Sequence, residues 1–243
     1  MANLSPKKIA IFDIDGTLIV ESHRLRAQAE SVSGTFGSSS AELQAVIYAF
    51  FSVNDYMATT KPEMKHNIPV YMEMIGDKIG IPITPGKAEE LAVVWTKAYN
   101  DSHNIPELFP DVVECLRTLS ERGFALVVAS GSTLESRQVI LQTTRINHFF
   151  SRIFATTDVG FQKQDIRFWQ TVVHELDLNE DDQVAVIGNQ LNDDIQNPIV
   201  LGFSAFLINR PDEFKKILEE SIVRPTAVFT NFSDLINYPY FLT

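Results

Sequence analysis

Cysteine is almost absent. Cys115 stands alone among 243 residues, so no disulfide can form within the chain. Its place between Val112 and Leu119, at helical spacing, reads as a small buried apolar residue and not a nucleophile. Basic residues are also scarce: 20 Lys and Arg against 31 Asp and Glu, a formal net charge of −11 at pH 7. That deficit argues against a nucleic-acid partner, whose phosphates need clustered Lys and Arg, and against an anionic membrane surface. A small phosphorylated substrate is not excluded, because one pocket can be positive on an acidic protein. No apolar run approaches the ~18 residues of a membrane span. Met1 to Lys8 lack the apolar stretch of a secretion signal. The expectation is a cytoplasmic, reducing compartment and a monomer or homodimer. His103, His148 and His174 are scattered without metal-ligand spacing, and no repeat or low-complexity tract occurs. What remains is an ordinary globular composition, 45% apolar and 21% charged, at a length that suits one or two domains.

A short apolar run, Ile9-Ala10-Ile11-Phe12, opens the chain and meets Asp13. Such a run predicts a strand buried on both faces, as in a parallel sheet. Residues 20–106 differ. Apolar residues recur at helical spacing (Leu43, Val46, Ile47, Phe50; Tyr71, Met72, Ile75), Pro and Gly punctuate between them, and no strand stands out. The block predicts a helical insertion between the two parts of a core, 1–19 and 107–243. From residue 108 the pattern alternates. A helix begins near Pro110 and ends at Gly123, and a strand covers 124–129. A helix covers 134–142, a weaker strand 152–155, and a helix 166–176. A strand covers 184–187, and a helix follows Asp193. The last elements are a strand over 203–208, a helix over 212–221 and a strand over 227–230. Alternating strands and helices predict an α/β fold, a doubly wound parallel sheet with helices on both faces. Ligands of such folds sit outside the carboxyl ends of the strands.

Four strand ends carry chemistry. The first ends in Asp13-Ile14-Asp15-Gly16-Thr17. Two carboxylates two apart, followed by a glycine for the bend, can converge on one cation. A calcium loop fails here, since it wants glycine at position 6 and glutamate at position 12, where this chain has glycine at position 4 and Arg24. The second ends in Ser130-Gly131-Ser132-Thr133 before a helix, where hydroxyls and backbone N–H groups suit an anionic oxygen. Lys163 follows the third, and Gly188-Asn189-Gln190-Leu191-Asn192-Asp193-Asp194 follows the fourth. Singly, each is as well explained by a turn, a helix cap or a solvated lysine.

Together, in this order and spacing, they resemble the four motifs of the haloacid dehalogenase-like (HAD) hydrolase superfamily, over roughly 8–20 and 108–240. The helical block falls where one subclass carries its cap domain. The resemblance implies a magnesium-dependent phosphatase acting on a small phosphorylated metabolite. Asp13 would be the nucleophile that forms an aspartyl phosphate, and Asp15 the general acid and then base. Ser130, the backbone of Gly131, and Lys163 would hold the phosphoryl oxygens. Mg²⁺ would be held by the Asp13 carboxylate, the Asp15 carbonyl oxygen and the fourth motif, through Asn189 and Asp194. An acidic residue at position 15 is what the phosphoryl-transfer members carry and the dehalogenases lack.

The chain departs from the pattern at Asn189, where the family usually has aspartate, and carries Asp193 in its usual asparagine place. Asn189 offers Mg²⁺ an oxygen but no charge, which implies weaker binding unless Asp193 reaches the ion. Gln164 stands where a proline is frequent, and Asp158 and Asp165 flank Lys163 as candidates to orient it. Glu21, Ser22, His23 and Arg24 after the first motif, and Lys61, Lys65 and His66 in the helical block, are weaker candidates for substrate contact, better read as solvated surface. Trp95, Phe50, Phe51, Tyr56 and Tyr71 read as helical packing. A phosphomutase, a phosphonate-cleaving enzyme, and a non-catalytic binding protein that kept the fold are the alternatives.

Overall fold

The computed structural model describes residues 6–36, 40–61, 64, 67–103, 106–210 and 223–242. The chain divides into two compact units, Met1–Val20 with Pro106–Thr243, and Glu21–Ile105. It begins with β1 (Lys8–Phe12) and then leaves the first unit for four helices: α1 (Ser22–Phe36), α2 (Ser40–Thr60), α3 (Ile68–Lys78) and α4 (Pro85–His103). It returns as α5 (Val112–Glu121), β2 (Ala125–Ser130), α6 (Leu134–Thr143) and β3 (Phe150–Ala155). After these come α7 (Thr156–Val159), α8 (Ile166–Glu175), β4 (Gln183–Gly188), α9 (Gln196–Val200), β5 (Ser204–Ile208), β6 (Ala227–Phe229) and α10 (Phe232–Ile236). The predicted helix over 212–221 lies outside the described residues.

The six strands pair in parallel in the order β3-β2-β1-β4-β5-β6. The chain steps outward from β1 to β3, then crosses back to add β4 on the other side, so the direction of winding reverses between β1 and β4. That reversal opens a crevice at the carboxyl ends of these two strands. Phe12 is level with Val128 of β2 and Ile187 of β4, so all three strands run out at one edge.

Side chains of β1 alternate between two cores, as a period of two requires. Ala10 and Phe12 join Val112, Cys115, Leu116 and Leu119 of α5 and Phe232 and Leu235 of α10. Ile9 and Ile11 join Phe168, Trp169 and Val172 of α8. The sheet is therefore covered on both faces, the α/β doubly wound fold that the sequence predicts. The four α5 residues recur at i, i+3, i+4 and i+7, one stripe of the helix. Full burial of each such side chain stabilises the fold by ~1.5–3 kcal/mol, less for the smaller ones. Burial also pushes the Cys115 thiol far above its ordinary value, which fits an inert core residue.

Local structure differs from the predicted pattern in a few places. β3 starts two residues early, at Phe150. Pro110 stands in the turn before α5, whose N-cap is Asp111. After β4, Leu191–Ile195 forms one π-helical turn, and the helix expected after Asp193 follows it as α9. Within the helical unit, Phe50 packs its ring against Tyr71 and Trp95 with centroids 5.8 and 5.2 Å apart, while Tyr56 is exposed.

Candidate active site

Asp13 is the first residue past β1, and its N–H still reaches Ile187 of β4 at 2.9 Å. The carbonyl of Ile14 then collects the N–H groups of Thr17, Leu18 and Ile19, and Gly16 takes φ +73°, a left-handed bend that favours glycine. This tight turn returns the buried Thr17 hydroxyl to Asp13 Oδ2 at 3.3 Å. Thr17 thus holds the carboxylate as well as the turn. Its carbonyl oxygen accepts from Arg210 Nη2 at 3.4 Å. Arg210 in turn grips Asp111 with both terminal nitrogens, at 2.8 and 2.9 Å, between the rings of Phe109 and Phe232.

Lys163 is buried, and its ammonium donates to Asp13 Oδ1 at 2.8 Å, to Asp194 Oδ1 and to the carbonyl of Ala129 at 3.1 Å. Two side chains fasten its backbone: Trp169 Nε1 donates to the Lys163 carbonyl at 2.9 Å, and Asn197 Nδ2 at 3.3 Å. Burial alone would lower the ammonium's affinity for its proton. The attraction of Asp13, Asp194 and Asp193 outweighs it and holds Lys163 charged. Burial likewise pushes the Asp13 carboxyl up; Lys163 pulls it down, Asp194 and Asp15 push it up again, and it comes to about 7.

The fourth strand end is built around a missing side chain. A β-carbon on Gly188 would stand 2.2 Å from the Asp194 carboxyl carbon, so only glycine lets that group fold beneath the strand. The π turn supplies the register: Asp194 N–H bonds the Gln190 carbonyl at 2.9 Å, while Asp194 Oδ2 accepts the Gln190 N–H at 2.8 Å. Asp193 instead accepts a hydrogen bond from the Gln164 side chain. Gln164, which the sequence marks only as standing where a proline is frequent, therefore has a partner at the site.

Among the described residues no three His, Cys, Asp or Glu side chains group as a metal cage. Asn189 Oδ1, however, is buried with no hydrogen-bond partner among the described residues. Such an orphan costs about 1–3 kcal/mol unless something satisfies it. A hard cation prefers this kind of oxygen. Asn189 and the Asp13 carboxylate thus fit a divalent ion, with less negative charge than a set in which residue 189 is acidic.

Ser130 is the buried last residue of β2, and Gly131 follows it in the half-buried turn to α6. Thr133 caps that helix through the Ser136 N–H. The spacing of the sequence singles out nothing at Arg137, yet its guanidinium is wholly buried and 2.6 Å from Asp15 Oδ2. The only local signal was a basic residue one turn into the helix that leaves a hydroxyl-rich strand end. Asp165 does not orient Lys163: its carboxylate caps α8 through the Arg167 N–H at 2.9 Å and pairs with the Arg167 guanidinium. Within the helical unit Arg24 pairs with Glu21 at 3.3 Å and lies over the Tyr99 ring, and Lys61 is exposed. The side chains of Ser22, His23, Lys65 and His66 lie outside the described set.

Comparison with known proteins bears on this arrangement. A model of the haloacid dehalogenase-like hydrolase family matches residues 7–196. Glyceraldehyde 3-phosphate phosphatase of Methanothermobacter thermautotrophicus is 29% identical over 42% of this chain, a stretch that spans only 44% of the relative's length. Phosphoglycolate phosphatase 1 of Pseudomonas aeruginosa is 23% identical over 94% of this chain and 78% of its own. Among solved structures, the magnesium-bound HAD hydrolase YfnB of Bacillus subtilis superposes with a TM-score of 0.69 at 17% identity, covering 96% of this chain and 98% of that one. A 2-haloacid dehalogenase of Pseudomonas syringae gives 0.57 at 16%, covering 95% and 97%. Both likenesses are of fold alone.

Proposed function

The chain belongs to the haloacid dehalogenase-like hydrolase family, and we propose that it is a phosphatase that cleaves a small phosphate monoester through an aspartyl phosphate on Asp13. The observation that carries the reading is the Lys163 ammonium held between Asp13 and Asp194, with Asp15 on the adjoining turn. The phosphatases among its relatives support the same class of substrate.

In this reading Asp13 Oδ attacks phosphorus, and the bond from phosphorus to the leaving oxygen breaks. Asp15 gives that oxygen a proton. The Ser130 hydroxyl, the Gly131 N–H and the Lys163 ammonium take the phosphoryl oxygens, whose charge grows toward the transition state. Asp15 then takes a proton from water as it attacks the acyl phosphate, and inorganic phosphate leaves. The Asp13 carboxylate, the Asp15 carbonyl and Asn189 Oδ1 would hold Mg²⁺, which supplies charge against the repulsion between a carboxylate and an anionic substrate. Asp194, expected from the sequence as a fourth ligand, has its two oxygens on Lys163 and the Gln190 N–H and in this reading anchors the lysine instead. In the same reading residues 20–106 are the cap domain of this family.

The test is release of inorganic phosphate from a panel of phosphometabolites and a generic aryl phosphate, with and without Mg²⁺, beside the Asp13→Asn variant. Metal-dependent turnover that disappears in the variant is the expected result. Well-folded protein that releases no phosphate, or a variant that keeps its activity, would overturn the reading.

A further inference from the structure

We propose that Arg137 is a positioning residue for Asp15, fixing the carboxyl group that carries the proton; the proposal rests on the phosphatase reading above. Arg137 lies one turn into α6, its N–H bonded to the carbonyl of the N-cap Thr133 at 3.1 Å. Helical side chains lean back toward the N-terminus of their helix, here toward the strand end that carries Ser130 and Gly131. The guanidinium has no exposed surface. Its Nη1 donates to Asp15 Oδ2 at 2.6 Å and its Nη2 to the Ser136 hydroxyl at 3.0 Å.

A guanidinium taken wholly out of water is costly unless a counter-charge answers it, and such a buried pair is by itself a poor source of stability. The arrangement makes sense as a tether. Asp15 is a short side chain on a turn, and 23% of its surface is open. A proton carrier displaced by about 1 Å loses on the order of 100-fold in rate. Nη1 of Arg137 holds one carboxylate oxygen while the Ser136 hydroxyl holds Nη2, so the guanidinium that meets Asp15 is itself fixed against its own helix. Because α6 starts directly after Ser130 and Gly131, a single segment carries both the phosphoryl contacts and the tether. The placing of the proton carrier is thereby tied to that of the phosphoryl group.

The experiment compares kcat/KM of the full chain in Mg²⁺ for an alkyl phosphate and for 4-nitrophenyl phosphate, in wild type, Arg137→Gln, Arg137→Lys and Asp13→Asn. kcat/KM reports only the steps up to departure of the leaving group, so later use of Asp15 as a base drops out. An alkoxide needs a proton to leave, whereas nitrophenolate does not. Expected in Arg137→Gln is a fall of about 100-fold for the alkyl substrate and under about fivefold for the aryl one, at an unchanged fold by circular dichroism. Arg137→Lys retains the charge without the fork and gives the same split at smaller size; it decides the matter if the Gln variant does not fold. A merely structural role lowers both substrates equally, and that result, or no fall in either, overturns the proposal while leaving the phosphatase reading standing. Activity that survives in Asp13→Asn, or a wild type inert toward both substrates, removes the phosphatase reading and this proposal with it.

Discussion

Gly188 leaves empty the space that the Asp194 carboxyl group fills, with 2.2 Å between that group and the place a β-carbon would take. Asp194 in turn anchors the ammonium of Lys163. The absence of one side chain on β4 therefore sets the position of a cation 25 residues earlier in the chain, and through it the Asp13 carboxylate at 2.8 Å. Gly188→Ala forces Asp194 out of its place. The expected outcome is a loss of about 1–3 kcal/mol in stability from overpacking, with phosphatase turnover falling at least tenfold as Lys163 loses an anchor. Thermal melts and phosphate release on the same sample check it. A variant with both values near wild type would show that the strand end yields without moving Asp194.

Much of this site is legible before any coordinates, and the reason is positional. Asp13 and Asn189 each stand where an apolar run stops, and Ser130 just before a helix begins, so the rule that sites gather at the carboxyl ends of parallel strands finds them. Arg137 has no such mark. It lies inside a helix among Glu135, Ser136 and Gln138, and it is buried because a carboxylate 122 residues earlier comes to meet it. Gln164 is similar: its partner Asp193 lies 29 residues on and belongs to another strand end. Asp165 misleads for the opposite reason, since its nearest demand is local, a helix N-terminus to cap. Long-range polar pairs are set by the fold and leave no periodic trace in sequence.

Asn189 makes a prediction about the metal that needs no activity to test. In Asn189→Asp a carboxylate replaces the orphaned amide oxygen, adding charge to a donor set that otherwise has the Asp13 carboxylate. Affinity for Mg²⁺ rises with the number of charged ligands, by roughly tenfold or more here. Without the ion a carboxylate at this buried position is costly. Calorimetric titration with Mg²⁺ should show the tighter binding, and the melting temperature should fall below wild type in chelator and rise above it in Mg²⁺. Equal affinities would mean that residue 189 faces away from the ion.

The Asp13 carboxyl is raised from 3.8 to about 7, chiefly by burial. A group with a raised folded value binds its proton more tightly when folded, so its contribution to stability is whole below about pH 3.8 and is lost as pH rises toward 7. Asp13→Asn removes that loss. In metal-free buffer the variant should melt above wild type at about pH 8, at roughly 2–4 °C for each kcal/mol recovered in a chain of this size, and the gap should narrow by pH 5. A variant that melts lower at pH 8 would mean that attraction to Lys163 outweighs burial.

Asp111 has the reverse sign. Burial pushes its carboxyl up, but the two bonds from Arg210 and the N–H of Phe232 at 2.7 Å prevail and hold it below 3.8. Its stabilisation is complete above pH 3.8 and disappears as pH falls through the lowered folded value. The pair joins the start of α5, the end of β5 and the start of α10, and reaches the Thr17 carbonyl beside Asp13. Asp111→Asn leaves the Arg210 guanidinium, 6% exposed, without its counter-charge. The expected loss is about 3 kcal/mol at neutral pH. Denaturant unfolding at pH 7 and at successively lower pH below 3.8 separates this from a packing defect. Loss of the ion pair makes the two proteins converge in acid, whereas a packing defect keeps them apart throughout.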